Sequence, residues 1–330
     1  MKGITPMYSH RFVAFQLHLL FWLILFIGFY TFEISILLFF VVPISIIDLW
    51  LALCLGFMLR LPTSREEAEA PEGWSWEHHL IHEYPVRWLS KEIDPSKPMA
   101  ILVHGWNSRA NNMIGRAELY QKSGYNCVLF EMRAHGGNKK VQHWAAMHVC
   151  YDLEQTLSLF QKRGWLSNGF LVHGHSLGGF VAQRTLRPSL DTSDNAIGIV
   201  LESPVTSYEL INNQTCEYLK IPRTLHRPMM NRLLRYYNRL NPSHFAVSSI
   251  AMLSTPEWGV PSCPTLLVQA KFDATLGTKH AELLIDVHDN RQTEFKYHIV
   301  EDLKHAYEKS NATRDALIGK WMEEYSLLFP

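Results

Sequence analysis

Two long apolar runs open the chain and set its beginning apart from the rest. Residues 12–32 and 34–58 are almost entirely apolar. About 20 helical residues cross the hydrocarbon core of a bilayer, so each run is long enough to span one. The apolar region of a cleaved signal peptide is shorter, about 7–15 residues. The pattern therefore predicts an N-terminal membrane anchor over residues 1–62, a transmembrane helical hairpin with its turn near Glu33.

Two ionisable residues lie inside these runs at equal distances from the predicted turn. His18 is 15 residues before Glu33, and Asp48 is 15 residues after it. Antiparallel helices would therefore place both side chains at the same depth. Because an unpaired charge in hydrocarbon is costly, we expect His18 and Asp48 to pair. The alternative is a neutral Asp48 with His18 close to the membrane interface.

Basic residues flank the outer ends of the hairpin and are absent from its short connection. Lys2 and Arg11 precede the first run, and Arg60 and Arg65 follow the second. The positive-inside bias then predicts that both ends, and the rest of the chain, lie in the cytoplasm.

The five cysteines are widely spaced and form no C-x-x-C pair. This usage is typical of reduced thiols in a domain that faces the cytosol.

After the anchor, a polar segment is followed by regular alternation of short apolar runs and helical patterns. Residues 63–79 are rich in Glu, Ala and Pro and predict a linker. Continuous apolar runs between amphipathic helices indicate a doubly wound α/β domain, with a mostly parallel central sheet and helices on both faces, over residues 80–330. The predicted strands are residues 84–89, 99–103, 125–131, 170–172, 196–201, 264–270 and 295–300, and the predicted helices are residues 144–163, 177–186 and 314–328.

One segment breaks this alternation. Residues 206–252 carry Tyr and Leu at helical spacing, and insertions after a sheet strand can cover a catalytic pocket, so we expect a small helical cap. The segment also carries a basic cluster, Arg223, Arg227, Arg232 and Arg235. Such a cluster is typical of a solvated helix face. The alternative is contact with phosphate headgroups at a membrane surface.

Charge and histidine content narrow the class of function. The chain has 31 basic and 31 acidic residues, and this balance argues against a nucleic-acid-binding surface. Its 17 histidines include several close pairs, but none has the full spacing of a metal-ligand set. We therefore expect no bound metal ion.

A short motif at residues 174–178 carries the strongest chemical signal. Its sequence, G-H-S-L-G, follows a predicted strand and precedes a predicted helix. The G-x-S-x-G spacing is that of a nucleophile elbow, in which the flanking positions must lack bulky side chains because the backbone bends sharply. Ser176 would then lie exposed above the sheet, at a helix N-terminus that favours developing negative charge.

Four local motifs along the chain resemble the α/β-hydrolase superfamily. They are the strand-terminal His104-Gly105, the stretch E-M-R-A-H-G-G at residues 131–137, the elbow, and the late loops that carry Asp273 and His305. The order Ser, then Asp, then His is that of the superfamily. The resemblance covers residues 80–330 and is nearest to membrane-associated monoglyceride lipases and small esterases.

One of these motifs departs from the family pattern at two positions. The stretch at residues 131–137 is similar to D-x-R-G-H-G, with Glu131 in place of Asp and Ala134 in place of Gly. The departures concern a structural turn. We therefore expect them to leave the chemistry of the site untouched.

The resemblance implies a role for each of five residues. Ser176 would be the nucleophile, His305 its general base, and Asp273 the acid that orients the imidazole. The backbone N–H groups of Trp106 and Leu177 would form the oxyanion hole. No metal or cofactor takes part in such a site.

Alternatives to these assignments remain. Asp273 could instead cap a following helix, which would make Glu202 the acid. His280, His288 and His298 are the other candidates for the base. His305 is preferred because it lies in a loop after the last predicted strand, whereas His298 lies inside that strand. His104 and His175 are more typical of packing or turn positions than of catalytic ones.

These features predict a membrane-anchored serine hydrolase that cleaves carboxylic esters through an acyl-enzyme. A domain tethered to a bilayer meets acyl lipids at high effective concentration, which favours lipid esters such as monoacylglycerols or lysophospholipids. An acyltransferase or a thioesterase would use the same three residues. From a different class, a non-catalytic membrane scaffold with a degenerate hydrolase fold is the further alternative.

Overall fold

The chain forms two compact units, one from residues 1–61, 141–144 and 211–250, the other from residues 62–140, 145–210 and 251–330. The computed structural model describes residues 12–31, 35–63, 67–81, 84–240, 246–255, 257, 260–291, 294–306 and 308–329. The predicted turn at Glu33 lies outside these residues, as do Lys2, Arg11 and Arg65.

The two apolar runs of the first unit form helices, as predicted. Helix α1 is Val13–Thr31, and α2 is Ser35–Met58. Val13–Thr31 and Phe39–Met58 are long and apolar enough to cross a membrane. Large apolar side chains on both helices are exposed, among them Leu20, Ile24, Phe39, Phe40 and Ile46. A lipid-facing surface would have this character.

The predicted pairing of the two ionisable residues is confirmed. His18 Nδ1 lies 2.5 Å from Asp48 Oδ2, and Trp22 Nε1 donates to the same oxygen at 2.8 Å. Asp48 Oδ1 accepts from the guanidinium of Arg232. The equal offset of His18 and Asp48 from Glu33 in the sequence therefore predicted their contact correctly, while Arg232 was not foreseen as a partner.

The segment that breaks the alternation is helical, as predicted. It forms α6, Tyr208–Tyr218, and α7, Arg223–Leu240. Residues 211–250 pack in the first unit with the N-terminal helices. The buried side chains of α7 join one cluster with buried residues of α1 and α2; its members include Met229, Met230, Leu233, Tyr236, Val13, Leu51 and Leu55. A role of this segment as a cover for a catalytic pocket stays a prediction.

The second unit is built on an eight-stranded sheet with the order β1-β2-β4-β3-β5-β6-β7-β8. Strands β1 and β2 are antiparallel to their neighbours, and β4, β3, β5, β6, β7 and β8 run parallel. The strands are β1 Ser75–Ile81, β2 Tyr84–Ser90, β3 Met99–Val103, β4 Asn126–Glu131, β5 Phe170–His175, β6 Ala196–Glu202, β7 Thr265–Ala270 and β8 Phe295–Val300. The helices are α3 Ile114–Lys122, α4 Ala146–Lys162, α5 Leu177–Thr185, α8 Lys279–Arg291 and α9 Ala312–Glu324.

The beginning of this unit differs from the sequence prediction. Strand β1, Ser75–Ile81, lies mostly within the segment predicted as a linker, residues 63–79. It is an edge strand in which only Ile81 is buried, and an edge strand needs no continuous apolar run.

Helices α3 and α8 were also not predicted, because both carry many polar residues. The seven other strands and α4, α5 and α9 agree with the prediction to within a few residues.

The topology fixes where a site can form. From β3 the chain continues to β4 on one side, and β5 pairs on the other side of β3. The strand order therefore reverses between β3 and β5, and the loops after these strands diverge. In open parallel sheets ligands bind in the crevice at this switch point, beyond the carboxyl ends of the strands.

Candidate active site

Ser176 lies on a sharp turn between β5 and α5. Its φ of 53° and ψ of −117° are an unusual conformation for a residue other than glycine. Backbone hydrogen bonds hold this conformation: Ser176 N–H donates to the Glu202 carbonyl at 2.9 Å, and the Ser176 carbonyl accepts from Val205 at 2.9 Å. The end of β6 and the residues after it therefore support the strained turn.

The glycines of the motif are required by close backbone approach. A Cβ atom at Gly174 would lie 2.4 Å from the Gly178 carbonyl oxygen, and one at Gly178 would lie 2.1 Å from that of Val103. Both distances are too short for real atoms. The G-x-S-x-G spacing thus has the steric cause that the sequence suggested.

Three residues that are far apart in sequence meet at this turn. His305 Nε2 lies 2.9 Å from Ser176 Oγ, and His305 Nδ1 lies 2.7 Å from Asp273 Oδ2. The three side chains follow β5, β7 and β8, whose carboxyl ends share one edge of the sheet. All three are buried, with 7–9% of each residue exposed, so the prediction that Ser176 lies exposed above the sheet is wrong: the loops after the neighbouring strands enclose it. The structure thus brings together the serine, histidine and aspartate named from the sequence.

Asp273 is held as a carboxylate. Its Oδ1 accepts from the backbone N–H groups of Thr275 and Leu276, each at 2.9 Å. Burial raises the pKa of Asp273, but the hydrogen bonds from His305, Leu276 and Thr275 outweigh burial and lower it. The N–H contacts belong to a turn, and α8 begins later, at Lys279. The side chain therefore orders its own loop and contacts the imidazole of His305 at the same time.

Glu202, the alternative acid, is bound elsewhere. Arg116 donates Nε–H to Oε2 at 2.7 Å and Nη2–H to Oε1 at 2.5 Å, and His173 Nε2 lies 3.2 Å from Oε2. Arg314 Nη1 is 3.5 Å from Oε1. Burial raises the pKa of Glu202, but Arg116 holds it well below its usual range. In the described part of the chain, Asp273 is the carboxylate that contacts the His305 ring.

The competing histidines have other surroundings. His298 lies within β8, while His280 and His288 lie on α8. His280 Nδ1 accepts from the Thr206 N–H at 3.1 Å, and His288 stacks on Phe295 with ring centroids 4.1 Å apart. Within the described ranges, no three His, Cys, Asp or Glu side chains are grouped to hold a metal ion.

The two predicted oxyanion donors lie beside the serine. Leu177 is the first residue of α5, where backbone N–H groups have no intrahelical partner. Trp106 follows Gly105, and a Cβ atom at Gly105 would lie 3.1 Å from Ser176 Cβ. The loop after β3 therefore passes close to Ser176. The assignment of these two N–H groups as donors to an oxyanion stays a prediction.

The turn at residues 131–137 packs against the loop after β3, which carries Trp106. Ala134 adopts a φ of 60°, a conformation that glycine takes without strain, and its N–H donates to the Tyr84 hydroxyl at 2.9 Å. The His135 ring packs edge-on against Trp106, with centroids 5.5 Å apart. The departure from glycine at Ala134 is thus tolerated in a structural turn that touches the loop beside Ser176.

His175 is a residue whose place in the site was missed. Its Nε2 lies 2.8 Å from the backbone carbonyl oxygen of His305. The two rings are 5.3 Å apart between centroids. From the sequence His175 was assigned to packing or to the turn. Its one available signal was its position next to Ser176.

Comparison with known proteins agrees with the fold. The sequence profile of the alpha/beta hydrolase family matches residues 100–308, whereas a search of curated proteins found no match. Among solved structures, the Pyrococcus furiosus esterase Pf2001 is 17% identical with a TM-score of 0.57, and the match covers 80% of this chain and 97% of that one. The esterase Est2 of the planctomycete Thermogutta terrifontis is 15% identical with a TM-score of 0.58, over 80% and 96%. At such identity the likeness is one of fold alone.

Proposed function

Because the chain belongs to the alpha/beta hydrolase family, we propose that it is a serine hydrolase that cleaves carboxylic esters through an acyl-enzyme on Ser176. The observation that carries the proposal is the continuous hydrogen-bonded series from Ser176 Oγ to His305 and from His305 to Asp273. A nucleophile, a base and a group that orients the base are the parts such chemistry needs.

The distances support a defined sequence of steps. His305 Nε2 takes the proton of Ser176 Oγ as the oxygen attacks the ester carbonyl carbon, and Asp273 stabilises the imidazolium that forms. The same proton then passes to the leaving alkoxide, which departs as an alcohol. Water, deprotonated by His305, attacks the acyl carbon, the bond to Ser176 Oγ breaks, and His305 returns the proton to Oγ as the carboxylic acid leaves. The N–H groups of Trp106 and Leu177 would stabilise the oxyanion, at typically about 3–4 kcal/mol per donor.

The first unit supports the proposed location and substrate class. Two helices that can cross a membrane precede the hydrolase fold. We propose that they anchor the chain with its catalytic unit on the cytoplasmic side, following the basic residues at the outer ends of the hairpin. An anchored enzyme meets acyl lipids at high effective concentration. Lipid esters, such as monoacylglycerols or lysophospholipids, are therefore the proposed substrates.

Labelling with a fluorophosphonate probe tests the nucleophile. We expect the full-length protein to be labelled and the Ser176→Ala variant not to be. Ser158→Ala, in the C-terminal part of α4, is the matched control and should be labelled like the wild type. Equal labelling of wild type and Ser176→Ala would refute the enzyme and favour a non-catalytic scaffold.

A substrate panel tests the proposed substrate class, and extraction from membranes tests the proposed anchor. Esters of graded acyl length and headgroup, with thioesters and acyl acceptors alongside, separate an esterase from a thioesterase or an acyltransferase. We expect the highest kcat/KM with long-chain lipid esters. Resistance of the protein to alkaline extraction from membranes checks the anchor. Release into the soluble fraction would refute the anchor without affecting the labelling result.

A further inference from the structure

The first unit contains a cavity of about 290 Å³ at the open end of the helical hairpin. Ala14 and His18, from the first two turns of α1, line one side. Ala52 and Leu55, from the last two turns of α2, line another. Because α1 ends at Thr31 and α2 begins at Ser35, away from these lining residues, insertion of both helices would place this cavity near the membrane surface rather than at the bilayer centre.

Helix α7 supplies the charged wall of the cavity. Arg232, Arg235 and Arg239 line it together with Tyr236. The spacing of three and then four residues places the arginines on one face of the helix. The segment 211–250 carries six basic residues (Lys220, Arg223, Arg227, Arg232, Arg235 and Arg239) against the single acidic Glu217, within a chain of zero net charge. The cavity therefore lies in the part of the chain where positive charge is concentrated.

Asp48 binds two of the residues that line the cavity. Asp48 binds Arg232 through Oδ1, and its Oδ2 accepts from Trp22 and contacts His18. Arg235 Nε donates to the Asn231 carbonyl of its own helix. Throughout the described residues, no carboxylate lies within salt-bridge distance of Arg235 or Arg239. Asp48 thus neutralises one of the three arginines and leaves two cationic groups at the cavity.

The packing of α7 suits a position at a membrane surface. Its apolar side is buried against the ends of α1 and α2 through residues such as Met229 and Leu233. Arg235 and Arg239 are exposed. Long arginine side chains can follow apolar surface while keeping the charged group at the level of lipid headgroups.

We propose that this cavity binds the phosphate of an anionic glycerophospholipid headgroup through Arg235 and Arg239. Guanidinium groups bind phosphate through charge-assisted, often bidentate hydrogen bonds. A volume of about 290 Å³ lies just below the range for pockets that hold drug-sized ligands, about 300–1,000 Å³, so it suits a headgroup rather than a whole lipid. The inference rests on the proposed membrane insertion and not on the proposed ester hydrolysis.

Lipid retention by the full-length protein tests this site. The protein is exchanged into micelles of non-ionic detergent with equimolar phosphatidylglycerol and phosphatidylcholine, and the lipid that remains bound is quantified by mass spectrometry. We expect enrichment of phosphatidylglycerol, reduced by about tenfold or more in the Arg235→Gln/Arg239→Gln double variant, because charged hydrogen bonds are lost. The matched control, Arg223→Gln/Arg227→Gln, removes the same charge from exposed positions on the same helix that do not line the cavity, and should lose far less.

Each outcome decides the proposal. Equal losses in the two double variants, with unchanged thermal unfolding, would show general attraction to a basic surface and overturn it. So would displacement of the lipid by an equal concentration of inorganic phosphate, which would identify a site for a free anion. Failure of the wild type to float with neutral phosphatidylcholine vesicles would overturn this site and the anchor together, while the labelling of Ser176 would stand.

Discussion

His175 Nε2 lies 2.8 Å from the backbone carbonyl oxygen of His305. A carbonyl only accepts hydrogen bonds, so the Nε2 atom of His175 must carry a proton. Burial lowers the pKa of His175 to about 3, so the ring stays neutral and its single proton is committed to this bond. The residue before the proposed nucleophile therefore holds the loop that carries the proposed base.

Substitution of His175 should misplace His305. We expect His175→Ala to lower kcat about five- to tenfold with a smaller change in KM, since one hydrogen bond of about 1 kcal/mol is lost. His175→Gln should recover most of the rate, because its amide N–H can reach the same carbonyl. Steady-state kinetics of the two variants check this. Equal losses in both would contradict a positioning role and indicate packing alone.

The contacts of Asp273 and Glu202 predict different effects when each acid is replaced. Asp273→Asn should lower kcat by about 10⁴-fold with little change in folding, because the imidazole loses the carboxylate that orients it. The measurement is ester turnover per mole of folded protein. A Glu202→Gln variant that loses turnover while Asp273→Asn retains it would show that the acid has been assigned wrongly.

Glu202→Gln should instead act on stability. Its carboxylate lies between two buried cations, Arg116 and Arg314, and removal of one partner of a buried ion pair costs about 3–5 kcal/mol. We expect a lower free energy of unfolding with nearly normal turnover in the protein that remains folded. Denaturant unfolding in detergent, set beside the turnover of the same samples, separates the two effects.

Most of the sheet could be predicted because its strands are short, buried and continuously apolar. The proximity of Ser176, Asp273 and His305 followed from their places after strands that end at one edge. Strand β1 and helix α3 could not be predicted, because an edge strand and a polar helix have no distinctive apolar pattern. Side-chain partners across the fold, such as Arg232 for Asp48, depend on packing that the sequence does not reveal.

The elbow glycines provide a steric test of the site. A Cβ atom at Gly178 would lie 2.1 Å from the backbone oxygen of Val103, which no side-chain movement can relieve. We expect Gly178→Ala to abolish labelling and to lower the yield of folded protein. Gly319→Ala is the control, since a Cβ atom there meets nothing within 4 Å and alanine should stabilise α9 by about 0.5–1 kcal/mol. Normal labelling of Gly178→Ala would contradict the close approach of the two loops.

Buried histidines predict how stability depends on pH. Burial lowers the pKa of His135 and His175 to about 3, and that of His280 and His288 to about 4. In the unfolded chain each titrates near 6.5. Below that value the unfolded chain therefore binds more protons than the folded chain. The contribution of these histidines to the free energy of unfolding is fully present above pH 6.5 and is lost as the pH falls toward their folded-state pKa values. Between pH 7.5 and pH 5.5, each of these histidines should lower the free energy of unfolding by about 1.4 kcal/mol.

One histidine can be removed without touching the site. His288 stacks on Phe295, and His288→Phe retains an aromatic ring that cannot be protonated. We expect the free energy of unfolding of this variant to fall by about 1.4 kcal/mol less than that of the wild type over the same pH range. Denaturant unfolding of the full-length protein at both pH values measures the difference. Parallel losses in the two proteins would mean that His288 titrates alike in the folded and unfolded chains, and that burial does not hold it neutral.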